Sequence, residues 1–286
     1  MQNLHHRRGA VFFILFLLLI PLTLPAEGRP EEPISITVED AYGRSVSFAE
    51  TPDRIVMAGR AVIMLADALY LFPGVSDRVV AVGRTNQGLG DFFPVLDDHP
   101  DTKARLGRSA GPEEILAQNP DLILLKSQMR SSIGEPLENA GATVVYLDLE
   151  TPEQYSRDIR TLGRILDHEA RAEEVISLYE ERISRLRSVT GGVDRPQVLL
   201  LSYDQGGDEY SFRVAPEGWI QTDQVQLAGG EPVWFGAART PGWNQIDFEQ
   251  IAAWDPEVVI FVSYRTDPTE PLRRVRENEL WGELQA

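Results

Sequence analysis

The sequence predicts an α/β protein of two Rossmann-like lobes with parallel sheets, joined by a long interdomain helix, with a ligand cleft between the lobes. Three observations predict it. First, one pattern occurs twice: residues 113–125 read EEILAQNPDLILL and residues 249–261 read EQIAAWDPEVVIF, sharing Glu, Ile, Ala and Pro in one register about half the chain apart. Second, each copy has the same internal logic. A proline stops a short amphipathic helix, and the continuous apolar run that follows suits a parallel strand covered on both faces. Third, residues 169–189 form a helical stretch rich in Ala, Glu, Arg and Leu with no internal Gly or Pro. At 1.5 Å per residue it spans about 30 Å, long enough to tie one lobe to the other.

The first residues stand apart from this scheme. Arg7 and Arg8 precede a wholly apolar run, 11–20, and Pro21 to Ala26 ends on a small residue. This is the pattern of a secretory signal, expected to be cleaved after Ala26, with an uncleaved anchor as the alternative; its apolar part is short for a membrane span. The protein is therefore expected to be exported, to the periplasm or the outer face of the cytoplasmic membrane. The chain has no cysteine, which excludes structural disulfides, thiolate metal sites, a cysteine nucleophile and a lipid anchor on cysteine. Its formal charge is -17, and such a surface repels phosphate backbones and anionic lipid, so nucleic acid is not an expected partner.

Along the chain, Ile34 to Val38 alternates like a strand, Tyr42-Gly43-Arg44 turns, Ser45 to Phe48 returns, and Thr51-Pro52-Asp53-Arg54 leads into an apolar strand. The run ITVEDAYGRSVSFAETPDRIV resembles the opening of periplasmic substrate-binding proteins of the iron-siderophore, haem and vitamin B12 class of ABC importers. Gly83 in VVAVG and the segment GPEEILAQNPDLILL continue the same pattern, and the resemblance covers the chain from about Ile34 to its end. It implies a ligand held between two lobes, a membrane permease as partner and no covalent chemistry.

The expected helices of the first half are Ala61 to Phe72 and Pro152 to Leu166, with strands at Val79 to Gly83 and Ala142 to Leu147 and a loop from Gly88 to Pro100. After the Gly191-Gly192 break come a strand from Gln197 to Tyr203, a helix from Trp219 to Leu227 stopped by Gly229-Gly230, the second copy of the repeat, and a last helix from Leu272 to Leu284. The expected organisation is a signal at 1–26, an N-terminal lobe at 27–166, a connecting helix at 167–192 and a C-terminal lobe at 193–286. The family pattern would add a further strand and closing helices after ELWGELQA, so the second lobe is expected to be shortened.

Catalytic and metal-binding constellations do not assemble. His5 and His6 lie in the signal, His99 in an acidic turn and His168 at a helix junction, none with metal-ligand spacing to another. The cluster Asp97-Asp98-His99-Pro100-Asp101 reads as a solvated turn. No nucleophile elbow and no phosphate-cradling loop with its Lys and Ser or Thr is present. No catalytic residue, metal site or resident cofactor is expected.

The resemblance implies one docking glutamate on each lobe for the permease, and Glu113 and Glu249 match that pattern. A glutamate in a helix's first turn is also favoured by the helix dipole alone, by about 0.3–1 kcal/mol, and Glu114 shares the turn in the first copy. Repetition at matching positions favours docking. For the cleft, the C-terminal ends of strands nominate Arg60, Arg84 and Arg108 from the first lobe. The second lobe offers Tyr203, Phe235, Arg239, Trp243, Tyr264 and Arg265. Trp243 lies in a loop with Pro and Gly, where a large ring needs something to pack on. Trp254, inside the second repeat's helix, is expected to be structural.

Arginines with aromatic rings suit a bulky anionic ligand with apolar faces, such as a ferric siderophore or haem. The expected function is thus capture of an iron chelate for an ABC importer by a monomer that the membrane does not hold once the signal is cleaved. A corrinoid of the vitamin B12 type is the alternative ligand. The rivals from other classes are a chelatase-like enzyme on the same framework and a sensory binding module.

Overall fold

The structure, a computed structural model, describes residues 36–87, 90–192, 194–206, 209–264, 267, 269–277 and 279–284. They lie in one compact unit. The expected signal and Arg265 fall outside the described residues.

An antiparallel hairpin opens the fold, β1 (Ile36–Glu39) against β2 (Ser45–Phe48). Asp40 makes its turn, accepting the backbone N–H of Tyr42 and of Arg44 at 2.9 and 3.1 Å. Five parallel strands follow: β3 (Ile55–Met57), β4 (Val79–Val82), β5 (Ala104–Arg105), β6 (Leu122–Lys126) and β7 (Val144–Leu147). Their order across the sheet is β5-β4-β3-β6-β7.

Because successive strand residues point to opposite faces, this sheet builds two cores at once. The helices are α1 (Val62–Leu69), α2 (Pro112–Leu116), α3 (Glu135–Asn139), α4 (Pro152–Ile165) and α5 (Glu169–Thr190). Ile55, Met57, Leu122, Leu124, Val145 and Leu147 pack with α1, α4 and the start of α5. Val56, Ile123, Leu125, Val144 and Tyr146 pack on the other side with Ile115 of α2 and Leu137 of α3. The helix α4 starts at a reciprocal cap in which Thr151 Oγ1 accepts the Gln154 N–H and Gln154 Oε1 accepts the Thr151 N–H.

The long helix α5 has the expected extent and joins the two halves physically. Ala172, Val175 and Ile176 belong to the first core. Further along, the Arg187 charge acts on Asp223, and at the far end a Cβ placed on Gly229 would stand 3.1 Å from Thr190 Cβ. The second sheet comprises β8 (Gln197–Gly206), β9 (Glu209–Val214), β10 (Glu231–Pro232), β11 (Asn244–Ile246) and β12 (Val258–Val262). The first half of β8 is flanked by β10 and β12, both parallel, as expected. Its second half turns back antiparallel into β9, which pairs antiparallel with β11. The sheet is therefore mixed, because the ten residues of β8 outrun the five of β12 and continue into a hairpin where Gly206 faces Glu209. Helices α6 (Ile220–Leu227), α7 (Phe248–Trp254) and α8 (Thr269–Glu277) complete the half. Trp254 packs on the second core, as expected.

Two expectations need correction. The last helix does not run from 272 to 284: α8 ends at Glu277 and a separate 3-10 turn covers Glu279–Glu283. That turn brings the Trp281 ring within 5.3–5.7 Å of Phe248, Phe212 and Phe261, burial that a straight helix would forfeit. The segment 88–100 is not only loop, since Phe93–Leu96 is a helical turn and buried Phe93 packs edge-on against Tyr70.

The repeated stretch is a helix, a proline and a strand in both halves, and the two copies share the backbone torsion at the turn. Asn119 and Asp255, each just before the proline, adopt left-handed torsions at φ 49° and 43°. The acid after each proline holds the entry of the neighbouring parallel strand: Asp121 accepts the N–H groups of Asp53 and Arg54 at 3.0 and 2.8 Å, and Glu257 accepts that of Gln197 at 3.0 Å.

Gly59, between β3 and Arg60, has φ 86°, and a Cβ there would meet Met129 Cγ at 3.0 Å. Gly59→Ala is therefore expected to lower stability by about 1–2 kcal/mol, read as a shift in the urea unfolding midpoint with an unchanged slope.

Candidate ligand-binding site

Parallel strands deliver all their C-terminal ends to one edge, and the residues just beyond those ends line it. Across the first sheet they are, in strand order, Arg108 beyond β5, Arg84 beyond β4, Arg60 beyond β3, Lys126 closing β6 and Glu150 beyond β7. Hydrogen bonds between the strand exits keep this row in register: Gly83 N–H donates to Met57 O at 2.8 Å and Leu106 N–H to Val82 O at 3.0 Å. Arg60, Arg84 and Arg108 are all exposed. Arg60 and Arg108 make no ion pair among the described residues.

At the other end of the row the chemistry changes. Lys126 is 1% exposed, and its Nζ lies 2.7 Å from Glu150 Oε1. The other carboxylate oxygen, Oε2, accepts the backbone N–H of Ile220, the first residue of α6, at 3.1 Å. The partial positive charge of a helix N-terminus favours a carboxylate there. One glutamate thus neutralises a buried lysine of the first half and caps a helix of the second.

An aromatic patch lies immediately beyond this contact. Trp219, the N-cap of α6, meets Trp243 edge-on at 5.9 Å, and Trp243 meets Tyr264 at 6.1 Å. Gln221 Nε2 donates to the Tyr264 hydroxyl at 2.7 Å, while Gln221 Oε1 is buried without a partner among the described residues. Burial raises the Tyr264 pKa; the Gln221 hydrogen bond opposes the rise and the Glu150 carboxylate adds to it, which places Tyr264 beside the same glutamate. Phe235 is 44% exposed, on a loop joined to the segment before Trp219 by the Gly236 N–H donating to Glu217 at 2.9 Å. Arg239 is exposed on the Trp243 loop, which Asn244 organises by accepting the Arg239 and Thr240 N–H groups, each at 2.9 Å.

The structure thus gathers Arg60, Arg84 and Arg108 on one edge, and Trp243 and Tyr264 in one ring cluster. The half-buried Tyr203 ring packs 6.4 Å from Phe261, a residue of the second core. Sequence reasoning missed Lys126, Glu150, Trp219 and Gln221. The first two were legible, since a lysine ending an apolar run and an acid after the next strand occupy the strand-end positions that nominated the arginines. Gln221 carried no signal in its type or spacing.

The two repeated glutamates also separate from their neighbours. Glu114 is occupied, its Oε1 accepting the Gly107 N–H at 3.2 Å, and Gln250 completes the cap of α7 with Asp247. Glu113 and Glu249 stand exposed in the first turns of α2 and α7. In the acidic turn, Asp97 is buried and spends its oxygens on the Tyr70 hydroxyl, Ser76 Oγ at 3.1 Å and the His99 N–H at 2.7 Å. It is a structural anchor and not part of a solvated cluster.

Residues 55–286 match the family model described as periplasmic binding protein. The chain belongs to that family. A protein named cobalamin-binding protein, from Halobacterium salinarum, is 22% identical over 270 residues, 89% of this chain and 69% of its own length. Among solved structures, a periplasmic binding protein from Veillonella parvula has a TM-score of 0.70 at 17% identity, covering 88% of this chain and 87% of that one. An ABC-type Fe3+-hydroxamate transport system structure from Saccharomonospora viridis has a TM-score of 0.67 at 22% identity, covering 87% of each. These likenesses support the two-lobed α/β architecture expected of the chain. The family implies an exported protein, and no helix among the described residues is long and apolar enough to cross a membrane.

Asp97 also gives the fold a pH signature. Burial pushes its pKa up, but hydrogen bonds from Tyr70, the His99 N–H and Ser76, with the Lys103 charge, outweigh that and leave it below the usual carboxylate value. A depressed carboxylate stabilises the folded state above its unfolded pKa of about 3.9 and loses that contribution as pH falls through the folded value. Asp97→Asn is expected to cost about 1–3 kcal/mol at pH 7, with the gap to wild type closing below about pH 4, measured by urea unfolding at each pH.

Proposed function

We propose that this periplasmic binding protein serves an ABC importer outside the cytoplasmic membrane, capturing an iron chelate, a ferric siderophore or haem, and handing it to the permease. Residues 27–166 and 193–286 act as the two jaws, 167–192 as the strut between them, and the protein works as a monomer with no resident cofactor. The observation that carries this reading is the row Arg108, Arg84, Arg60 on one sheet edge of a chain whose net charge is -17. Guanidinium groups pair with carboxylate, catecholate or propionate oxygens, and an acidic protein gains nothing for solubility by concentrating them in one place. Across from them, Trp219, Trp243, Tyr264 and Phe235, with Arg239, offer faces and charge for a bulky chelate, and the Saccharomonospora structure is named as an Fe3+-hydroxamate transport system. Glu113 and Glu249 then present the loaded protein to the permease.

A corrinoid is the second reading, favoured by one observation: three rings in edge contact, one of them hydrogen-bonded to the Gln221 amide, whose oxygen is buried without a partner among the described residues. The Halobacterium relative is named for cobalamin. A ligand with a rim of amides would use the rings and Gln221 and leave the arginines idle.

Quenching of tryptophan emission by ferric catecholate, hydroxamate and carboxylate siderophores, haem and cyanocobalamin separates the readings. The combined Arg60→Gln, Arg84→Gln and Arg108→Gln variant is expected to bind an anionic chelate at least about 100-fold more weakly, about 3 kcal/mol, while corrinoid binding stays unchanged. No response to any of these ligands contradicts both. Recovery of the chelate unaltered after long incubation distinguishes binding from a chelatase-like reaction.

Reversing both docking acids, Glu113→Arg with Glu249→Arg, is expected to reduce cellular uptake at least about tenfold while leaving ligand affinity in solution unchanged. Uptake at the wild-type rate would point to a sensory role or to a different docking surface.

A further inference from the structure

Three features of the Lys126–Glu150 contact matter together. It is buried: the Lys126 side chain is 2% and the Glu150 side chain 12% exposed. It is economical, because among the described residues the Lys126 ammonium has one further polar contact, with Met64 Sδ at 3.7 Å. It also crosses from one half of the molecule to the other, since the second oxygen of Glu150 takes the Ile220 N–H at 3.1 Å. Lys126 and Glu150 close the strand-end row on the side where the second half of the molecule approaches it. Glu150 is itself fixed from behind, its N–H and that of Thr151 both donating to Gln154 Oε1, within the cap that starts α4.

A buried lysine that loses its only carboxylate is strongly destabilising, so the position of Glu150 is fixed by the first half of the molecule. The N-terminus of α6 must then come to Glu150, because the carboxylate cannot move to meet it without abandoning the ammonium. Trp219 is the residue before Ile220 and Gln221 the residue after it, so whatever places the Ile220 N–H also places the ring and the amide that face the site. We propose that Glu150, held by Lys126, is a positioning residue that sets the stance of the second lobe against the first and so fixes the distance across the ligand site. Domain closure runs through a few residues between packed lobes, so a directional contact that joins the two halves biases one arrangement over others.

The test needs no ligand, so its failure is separate from failure of the ligand assignment. The chain has no cysteine, which allows unique spin labels at two introduced sites, Asn139→Cys in the first half and Gln224→Cys in the second, both exposed. Distances between the labels are measured by pulsed electron resonance in the otherwise unchanged protein, in Glu150→Gln, and in the double variant Lys126→Met with Glu150→Gln, in which no unpaired buried charge remains. The expected result is a distance distribution at least about twofold broader in both variants, with near-ultraviolet circular dichroism of the double variant retained. An unchanged distribution in the folded double variant overturns the proposal even if Glu150→Gln alone fails to fold.

Discussion

Everything this protein presents to a ligand depends on one topological constraint: five parallel strands must end on the same side. A parallel pair cannot be closed by a tight turn, so each strand exit starts a crossover that leaves from the same edge. Five exits in the order β5-β4-β3-β6-β7 produce five neighbouring positions, and the sequence fills them with Arg108, Arg84, Arg60, Lys126 and Glu150. No single one of these residues is unusual. Their alignment is a property of the sheet, and it converts scattered basic residues of an acidic chain into a local positive surface. Three exposed arginines share an edge, beside a buried lysine paired with its acid, on a molecule where acidic residues outnumber basic ones 44 to 27.

Much of this was legible in the sequence because the decisive signals are local. The proline in each copy of the repeat marks a helix end, and the apolar run marks a strand covered on both faces in β6, whose five residues are all buried. The same run in β12 is half-exposed, with Val258 and Ile260 at 40 and 41%. Hydrophobic pattern tells that a segment is a strand, but the neighbours that cover it are set by topology. The acid after each proline was visible as a match and mute as to purpose. Only the register of the adjacent strand reveals that Asp121 and Glu257 tie down the backbone N–H groups next door.

The site was partly legible for a related reason. Strand-end position nominated the arginines, and loop context nominated Trp243, because both rest on chain geometry close in sequence. The continuation of β8 was not legible: it does not stop where its parallel neighbour does but runs on into a hairpin, and the Tyr203 ring meets Phe261. The contact between Glu150 and Ile220 joins residues far apart in the chain, and no local pattern encodes it. A single long-range hydrogen bond of this type decides the approach of two halves whose individual folds the sequence describes well.

The central claim is that the arginine edge and the aromatic patch form the two walls of one site. Hydrogen–deuterium exchange, comparing the chain alone with the chain saturated by the chelate or corrinoid that quenches its tryptophan emission, tests this most directly. The account predicts protection in both walls together, at 58–62 and 106–110 on one side and at 219–222 and 262–264 on the other. Protection on one wall only, or confined to the outer flank of the long helix around Leu178 to Val189, would contradict it.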